Sequence, residues 1–238
     1  MYSSINSEMM DGMKVVIFGA SGMVGQGVLR ECLLDSEVEQ VMSVARSASG
    51  QRHAKLREIV HGDFMNFSGI EDELSGYDAC FFCLGVSSVG MTEADYTKVT
   101  HDLTLAVAHI LAQQNPQMVF LYVSGTGTDS TERGKTMWAR VKGRTENDLL
   151  REPIRAAYML RPGYIQPMHG VKSKTPLYRV FYVVLSWLYP VIRLVARKYA
   201  ITTEDLGRAM IQIAKSGAPN HILENSDIEA LASTQPIG

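Results

Sequence analysis

The residues with the clearest chemical signature lie near the start of the chain, where a glycine-rich motif, Gly19-Ala20-Ser21-Gly22-Met23-Val24-Gly25, joins an apolar run to a helical pattern. Glycines at the first two motif positions allow a tight turn and a close backbone approach to a pyrophosphate, and the third allows close packing of helix against strand. The free N–H groups at the helix start face the anion. The motif therefore predicts dinucleotide binding. The predicted cofactor contacts are Gly19, Ser21, Gly22, Met23, Val24 and Gly25.

The second chemical signal is Arg46, about twenty residues after the glycine motif and at the end of the next predicted strand. NAD-selective proteins place an Asp or Glu there to bind the ribose diol. A guanidinium instead pairs with a 2′-phosphate and stacks over the adenine, whereas a carboxylate would repel that phosphate. Arg46 therefore favours NADP(H) over NAD(H) as the cofactor.

Two further segments are expected at the cofactor because they follow predicted strands. Asp63 and Phe64 come after the third strand, and Leu84, Gly85 and Val86 end the fourth. Ligands of an open parallel sheet lie at the carboxyl ends of its strands. We therefore expect Asp63 to accept a hydrogen bond from the adenine amine, Phe64 to flank the adenine ring, and Gly85 to leave room for the ribose.

The elements that must position these residues follow an alternating pattern. From Lys14 onward, short apolar or β-branched runs alternate with longer stretches of helical periodicity, as in βαβ units. Helices are predicted over residues 22–34 and 95–114, and Thr92 and Thr202 mark helix starts. Strands are predicted over residues 14–18, 41–45, 58–61, 79–84, 118–123, 156–160 and near 221–223.

This element order predicts an α/β fold: a single-domain, Rossmann-type, doubly wound parallel sheet with a small C-terminal helical region on the substrate side. A length of 238 residues suits one domain, and we expect residues 1–238 to form it. The dinucleotide-binding core is predicted over residues 13–163, and a flap or substrate-side segment over residues 164–203.

Composition narrows the class of protein. Lys and Arg (23) nearly balance Asp and Glu (25), so no nucleic-acid partner is expected. Three cysteines without a secretory signal indicate a reducing compartment, and we expect a cytoplasmic protein.

Cys80 and Cys83 are spaced like a redox or zinc pair, but residues three apart on a strand face opposite sides, so we expect core thiols. The histidines show no metal-ligand spacing, so no metal site is predicted.

With these motifs the chain resembles the atypical short-chain dehydrogenase/reductases, particularly the short members related to NAD(P)-dependent epimerase/dehydratases and to Tat-interacting-protein-like oxidoreductases. The resemblance covers nearly the whole chain. It rests on the glycine motif, Asp63, Tyr122-Val123-Ser124, Lys142 and Arg161-Pro162-Gly163.

The resemblance implies a catalytic centre made of a serine, a tyrosine and a lysine. In that family the serine orients the substrate oxygen, the tyrosine moves a proton, and the lysine lowers the pKa of the tyrosine and holds the nicotinamide ribose. Ser124 and Lys142 are thus implied as catalytic and cofactor-binding residues, with Pro162 and Ile165 as further cofactor contacts. Trp138 stands where the tyrosine would be, and an indole N–H does not act as an acid or base near neutral pH.

The missing tyrosine leaves two questions open. The proton source is unassigned among Tyr164, Tyr96 and His169. The function divides between an NADP(H)-dependent oxidoreductase or epimerase/dehydratase-like enzyme that uses Ser124 and Lys142 on a small-molecule substrate, and a catalytically silent NADP(H)-binding protein that senses the cofactor or regulates a partner.

One apolar segment, residues 180–192, stands out within the substrate-side region. It is shorter than the ~20 residues that a membrane crossing needs, and Pro190 interrupts it. We expect a helical flap over the substrate side or a contact with a second copy of the chain. The alternative is peripheral membrane contact through residues 177–195, because basic residues flank the aromatic stretch.

Overall fold

The computed structural model describes residues 12–171 and 200–233, and its strands are numbered β1 to β9 in chain order. Seven of these strands form one sheet in which every neighbouring pair is parallel, in the order β3-β2-β1-β4-β5-β6-β9, while β7 and β8 pair separately. The strands are β1 Met13–Phe18, β2 Val38–Ala45, β3 Leu56–Val60, β4 Ala79–Phe82, β5 Val119–Val123, β6 Ala156–Arg161, β7 Tyr164–Gln166, β8 Ala200–Thr202 and β9 Ile222–Glu224.

The central strands β1, β4 and β5 are apolar at nearly every position because helices cover both of their faces. All seven predicted strands are confirmed, with small shifts at their ends. β4, for example, ends at Phe82 rather than at residue 84. The reason is that Phe82 pairs with Phe18, the last residue of β1, and the chain turns away at Gly19.

The described helices are α1 Met23–Leu34, α2 Glu93–Thr97, α3 Leu103–Gln114, α4 Met137–Leu149, α5 Thr203–Ser216 and α6 Asn225–Ala232. Thr92 and Thr202 cap α2 and α5, as predicted, since each side chain accepts a hydrogen bond from a backbone N–H three residues on. The single helix predicted over residues 95–114 is instead divided by a π-helical turn, Lys98–Asp102. Apolar periodicity does not reveal one wider turn, so the sequence did not predict it.

Two hydrophobic clusters cover the two faces of the sheet. One cluster includes side chains of α1, α5 and α6, such as Val28, Leu206 and Ile228, and the other includes side chains of α3 and α4, such as Leu111 and Leu149. A parallel sheet with helices on both faces is the single-domain, Rossmann-type α/β fold predicted above.

The two cysteines around β4 lie in different clusters. Cys80 packs in the cluster of α3 and α4, and Cys83 packs against the cluster of α1 and α5. Burial raises the pKa of the Cys80 thiol well above its usual range and that of Cys83 to about 12. Both thiols are therefore protonated near neutral pH, which confirms the prediction of two core thiols.

The substrate-side region is described only at its two ends. The pairing of β7 with β8 brings residues 164–166 beside residues 200–202. The apolar segment at residues 180–192 and the proposed contact segment at residues 177–195 lie outside the described residues. Within residues 12–171 and 200–233, no helix combines the length and apolar character of a membrane-spanning segment.

Candidate functional site

The glycine motif forms a tight turn where the strand order of the sheet reverses, between β1 and β4. Gly19 has a φ of +88°, and a Cβ on it would lie 2.8 Å from the backbone of residues 83 and 84, directly after β4. A Cβ on Gly25 would lie 2.0 Å from the carbonyl oxygen of Gly19. Both positions therefore need glycine, and the turn lies at the point of an open α/β sheet where ligands bind.

The helix that follows this turn offers its N-terminus to an anion. The N-cap of α1 is Gly22, which has no side chain to form a capping hydrogen bond, and the first turn contains no acidic residue. The first-turn N–H groups of an α-helix have no acceptor within the helix. Ser21, Met23 and Val24 surround this helix start. The turn and the bare helix start together fit the pyrophosphate of a dinucleotide.

Arg46 lies where the sequence predicted it, exposed and immediately after β2. β2 is the neighbour of β1 on the side away from β4, so Arg46 follows a strand end adjacent to the glycine turn. No described residue forms a hydrogen bond or ion pair with its side chain. The guanidinium is therefore available to a ligand at this edge.

Asp63 and Phe64, after β3, have different environments. Asp63 is exposed, and its Oδ1 accepts a hydrogen bond from the backbone N–H of Met65 at 2.9 Å. Phe64 is only 6% exposed and packs edge-on against Phe18, with ring centroids 5.8 Å apart. Phe64 is thus a core residue that offers little surface to an adenine ring, because the apolar ring gains more from packing under the sheet edge. The predicted role of Phe64 loses support, whereas Asp63 remains available.

The loop after β4 provides an open surface next to the glycine turn. Gly85 is exposed, and a Cβ there would have no neighbour within 4 Å. Val86 is half exposed, and Leu84 packs partly against the cluster of α3 and α4. The space predicted above Gly85 is therefore present.

Helix α4 brings Lys142 to the carboxyl end of β5. The Lys142 Nζ donates a hydrogen bond to the carbonyl oxygen of Ser124, the first residue after β5. Burial lowers the pKa of Lys142 to about 8, and the carboxylate of Glu146, four residues further along α4, partly offsets that effect. The structure thus brings together the two predicted catalytic residues, although they are 18 residues apart in sequence.

The hydroxyl of Ser124 points into the protein. Ser124 is 6% exposed, and its Oγ donates to Glu146 Oε1 at 2.5 Å and lies 3.1 Å from the carbonyl oxygen of Leu160. A hydroxyl has only one hydrogen to donate, so both acceptors compete for it inside the protein. In this arrangement the Ser124 hydroxyl donates a hydrogen bond to Glu146, and the Ser124 carbonyl oxygen accepts one from Lys142.

Glu146 was not singled out from the sequence, yet it is the most buried charged group of the site, at 0% exposure. The Arg161 guanidinium at the end of β6 donates to both of its carboxylate oxygens, from Nε to Oε1 at 3.1 Å and from Nη2 to Oε2. Arg161 also donates to Ser130 Oγ at 2.5 Å and to Glu224 Oε1 at 3.3 Å. The four-residue spacing of Glu146 from Lys142 was the signal in the sequence that could have identified it, because residues four apart share one face of a helix.

Trp138 lies one helical turn before Lys142 on α4 and faces the same loop. The Cη2 atom of the indole would be 3.3 Å from a Cβ on Gly127, so the ring covers the turn that follows Ser124. The tryptophan therefore occupies space at the carboxyl end of β5, one helical turn from the lysine.

The three proton-source candidates are already engaged by neighbouring groups. Tyr96 is 2% exposed, and burial raises the pKa of its phenol despite a hydrogen bond with Thr100. The Tyr164 hydroxyl donates to Gln166 Oε1 at 2.9 Å, and the His169 ring lies 2.7 Å from Glu204 Oε2.

The remaining predicted cofactor contacts lie after β6. Pro162 is buried directly after the strand, and its carbonyl oxygen accepts from the backbone N–H of Thr126 at 2.9 Å. Ile165, in β7, packs partly against the cluster of α1 and α5. Pro162 therefore lies beside the loop after β5, whereas Ile165 is partly packed against the core, and their role as cofactor contacts stays a prediction.

The chain is similar in sequence to known proteins. The profile of the NAD dependent epimerase/dehydratase family matches residues 15–137, which include the glycine turn and the first five strands of the sheet. A curated relative, the mitochondrial protein fmp52-2 of Aspergillus terreus, is 26% identical over 168 residues, which cover 68% of this chain and 70% of that protein. The mitochondrial protein FMP52 of Chaetomium globosum is 22% identical over 241 residues, covering 92% and 97%.

Solved structures share the fold. The Bordetella bronchiseptica enzyme WbmF in complex with NAD+ superposes with a TM-score of 0.64 at 16% identity, covering 94% of this chain and 77% of that chain. The ADP-L-glycero-D-manno-heptose-6-epimerase of Helicobacter pylori gives a TM-score of 0.64 at 15% identity, covering 96% and 83%. At such low identity, the similarity supports the fold alone.

The relatives correct one expectation from the sequence. The prediction of a cytoplasmic protein is wrong, because the curated relatives are named as mitochondrial proteins. The physical reason is that free cysteines separate reducing from oxidising compartments but do not distinguish one reducing compartment from another.

Proposed function

The chain belongs to the NAD dependent epimerase/dehydratase family, and on that premise we propose that it is an NADP(H)-dependent oxidoreductase or epimerase/dehydratase-like enzyme with a small-molecule substrate. The observation that carries this proposal is the glycine turn, which leaves no room for a Cβ at Gly19 or Gly25 and ends in an uncapped helix start. A bound nicotinamide dinucleotide would supply or accept a hydride at the substrate carbon.

The residues proposed to hold the cofactor follow the carboxyl edge of the sheet. The backbone N–H groups at the start of α1 bind the pyrophosphate, and Asp63 accepts from the adenine amine. Lys142, whose Nζ donates to the Ser124 carbonyl at the end of β5, would hold the nicotinamide ribose. The indole of Trp138 lies against the neighbouring turn at Gly127, so it would border the cofactor on this side.

The preference for NADP(H) rests on Arg46 alone and has its own test. We expect Arg46→Ala to weaken NADPH binding by roughly tenfold or more, because one charge-assisted contact to the 2′-phosphate is lost, and to leave NADH binding nearly unchanged. Titration of nicotinamide fluorescence measures both affinities. Arg155→Ala is the matched control, since Arg155 is exposed and precedes β6 at the opposite edge of the sheet. Equal losses for the two cofactors would rule out the assignment of Arg46.

The main proposal is tested by binding and turnover together. We expect the wild-type chain to bind NADPH and to oxidise it in the presence of at least one member of a panel of aldehydes, ketones and nucleotide sugars. Failure to bind either NADPH or NADH would contradict the assignment of the glycine turn. Binding without turnover would contradict the enzymatic part.

A second candidate function is a catalytically silent NADP(H)-binding protein that senses the cofactor. The indole of Trp138 favours it, because it replaces the group that moves the proton in the related enzymes. If this second function holds, the wild-type chain binds NADPH without turnover, and Trp138→Tyr creates a measurable oxidoreductase activity. An active wild-type chain would exclude it.

A further inference from the structure

One face of α4 presents three chemically distinct side chains at four-residue spacing: Trp138, Lys142 and Glu146. Two of them reach the same loop after β5. Trp138 packs over Gly127, and Lys142 Nζ donates to the carbonyl oxygen of Ser124. A substrate oxygen brought to this loop would therefore meet an indole and an ammonium group, of which only the ammonium has a proton to transfer.

The ammonium of Lys142 has more hydrogen-bond donors than its described acceptor uses. It carries three N–H bonds, and within the described part of the chain the Ser124 carbonyl is its one hydrogen-bond acceptor. Two N–H groups remain for a ligand. The surroundings also favour release of a proton, because burial lowers the pKa of Lys142 to about 8. The nearby carboxylate of Glu146 opposes this effect only in part, since both of its oxygens are bound by Arg161.

The other candidate groups in residues 12–171 and 200–233 are less suited to the task. The Tyr96 phenol is buried beside Thr100, and the Tyr164 hydroxyl donates to Gln166. The His169 ring pairs with Glu204. The Ser124 hydroxyl donates inward to Glu146.

We propose that Lys142 itself transfers the proton to and from the substrate oxygen, the step that a tyrosine performs in the related enzymes; this proposal rests on the oxidoreductase function proposed above. In the reducing direction, an N–H bond of the ammonium breaks and an O–H bond forms at the carbonyl oxygen. The carbonyl carbon gains two electrons as a hydride from the reduced dinucleotide, which is oxidised. The neutral amine then takes a proton from solvent. In the oxidising direction, each transfer is reversed.

The first test measures the proton on Lys142 directly and needs no substrate. The full chain is labelled with [ε-¹³C]lysine and titrated by NMR, with the Lys142 signal assigned by its absence in Lys142→Arg. The exposed Lys98 is assigned in the same way through Lys98→Arg and is the internal control. We expect Lys142 to titrate near pH 8. Titration of Lys142 near ~10.4, the value of an ordinary lysine, would overturn the proposal.

The second test separates proton transfer from cofactor binding. Lys142→Arg keeps a positive charge and hydrogen-bond donors, but a guanidinium does not release its proton in this pH range. We expect NADPH affinity to fall by less than about tenfold, while kcat falls by roughly 10²–10⁴-fold, the usual contribution of a general acid or base. Lys98→Arg should change neither quantity. Retained NADPH binding also shows that the variant folds.

The outcomes distinguish this proposal from the function on which it rests. If the wild-type chain turns over a substrate and Lys142→Arg keeps that activity, Lys142 is not the proton donor, although the enzyme assignment stands. If the wild-type chain binds NADPH and turns over no substrate, the enzyme assignment fails and the role of Lys142 fails with it. If kcat falls in Lys142→Arg and Lys142 of the wild-type chain titrates near pH 8, the results support both the enzyme assignment and the role of Lys142 as proton donor.

Discussion

At the scale of single residues, the site depends on a buried chain of polar contacts. Glu146 accepts from Ser124 on one side and from Arg161 on the other, so it joins the ends of β5 and β6 to α4. Such a pair stabilises a protein only while both partners are present, because each charge alone would be buried without compensation. The carboxylate that holds this arrangement also lies one turn from Lys142, so its removal affects both stability and the site.

Removal of that carboxylate should therefore be costly. We expect Glu146→Ala to lower the free energy of unfolding by about 3–5 kcal/mol, because the Arg161 guanidinium keeps only weaker partners in the interior. Urea denaturation followed by circular dichroism measures the change. Glu93→Ala is the control, since Glu93 forms an exposed ion pair with Arg140, worth about 1 kcal/mol or less. Similar losses in the two variants would mean that the buried pair contributes no more than a surface pair.

Lys142 should also leave a signature in the pH dependence of stability. Its pKa is about 8 in the folded chain, below the ~10.4 of an unfolded lysine, so between these values the unfolded chain binds more protons. The cost of burying the charged lysine is present in full below pH 8 and is relieved as the pH rises toward ~10.4. Relative to Lys142→Met, the wild-type chain should thus gain on the order of 1–3 kcal/mol across this window.

Urea denaturation of both proteins at several pH values between 7 and 10 tests this expectation, with Lys98→Met as the comparison for an exposed lysine. The difference between wild type and Lys142→Met should change with pH, and Lys98→Met controls for the loss of a lysine charge at the surface. A flat difference for Lys142 would show that its pKa is not lowered in the folded chain.

At the scale of elements, two structural roles of α1 constrain its sequence. Its N-terminus provides the helix start after the glycine turn, and its body packs very closely against α5. A Cβ on Gly27 would lie 2.4 Å from the Cβ of Thr203, and a Cβ on Gly207 would lie 2.7 Å from Cγ of Glu31. Glycines on both helices therefore permit the close contact, and α5 in turn holds α1 in place beside the sheet.

This contact predicts that Gly27→Ala is destabilising, although alanine is the better helix former. Overpacking against Thr203 should lower the free energy of unfolding by about 1–3 kcal/mol. Gly62→Ala is the matched control, because a Cβ there has no neighbour within 4 Å and the substitution should cost less than about 0.5 kcal/mol. Equal stability of the two variants in urea would show that α1 and α5 can separate without cost.

At the scale of the whole molecule, one edge of one sheet gathers all of the proposed binding groups. The loops after β1, β2, β3, β4, β5 and β6 all begin at the carboxyl ends of parallel strands, so they open on the same side. A ligand that contacts many of these loops at once would connect the two halves of the sheet. Binding should therefore be visible in the stability of the entire domain.

NADPH at a concentration of 100 times its Kd should stabilise the folded state by about 2.7 kcal/mol, which corresponds to a rise in Tm of roughly 5–10 °C for a domain of this length. Differential scanning fluorimetry measures the shift. Arg46→Ala should show a smaller shift with NADPH at the same concentration. No shift with either dinucleotide would contradict cofactor binding by this fold.

Features that depend on local spacing follow from the amino-acid sequence alone. The alternation of strand and helix, the glycine turn and the caps at Thr92 and Thr202 follow from patterns within a few residues, and the structure confirms them. The tryptophan four residues before Lys142 is also visible without any structure. Local periodicity carries this information because backbone hydrogen bonding within a helix or turn depends on neighbours in sequence.

Which distant residues come into contact depends on the tertiary structure. The inward-facing Ser124 hydroxyl, the burial of Glu146 between Ser124 and Arg161, and the packing of Phe64 in the core depend on strand register and on how α4 lies across the sheet. These contacts join residues 15 or more apart, and their energies arise from burial, which no local pattern encodes. The fold of this chain can therefore be predicted from its sequence, whereas the chemistry available at Lys142 depends on tertiary packing.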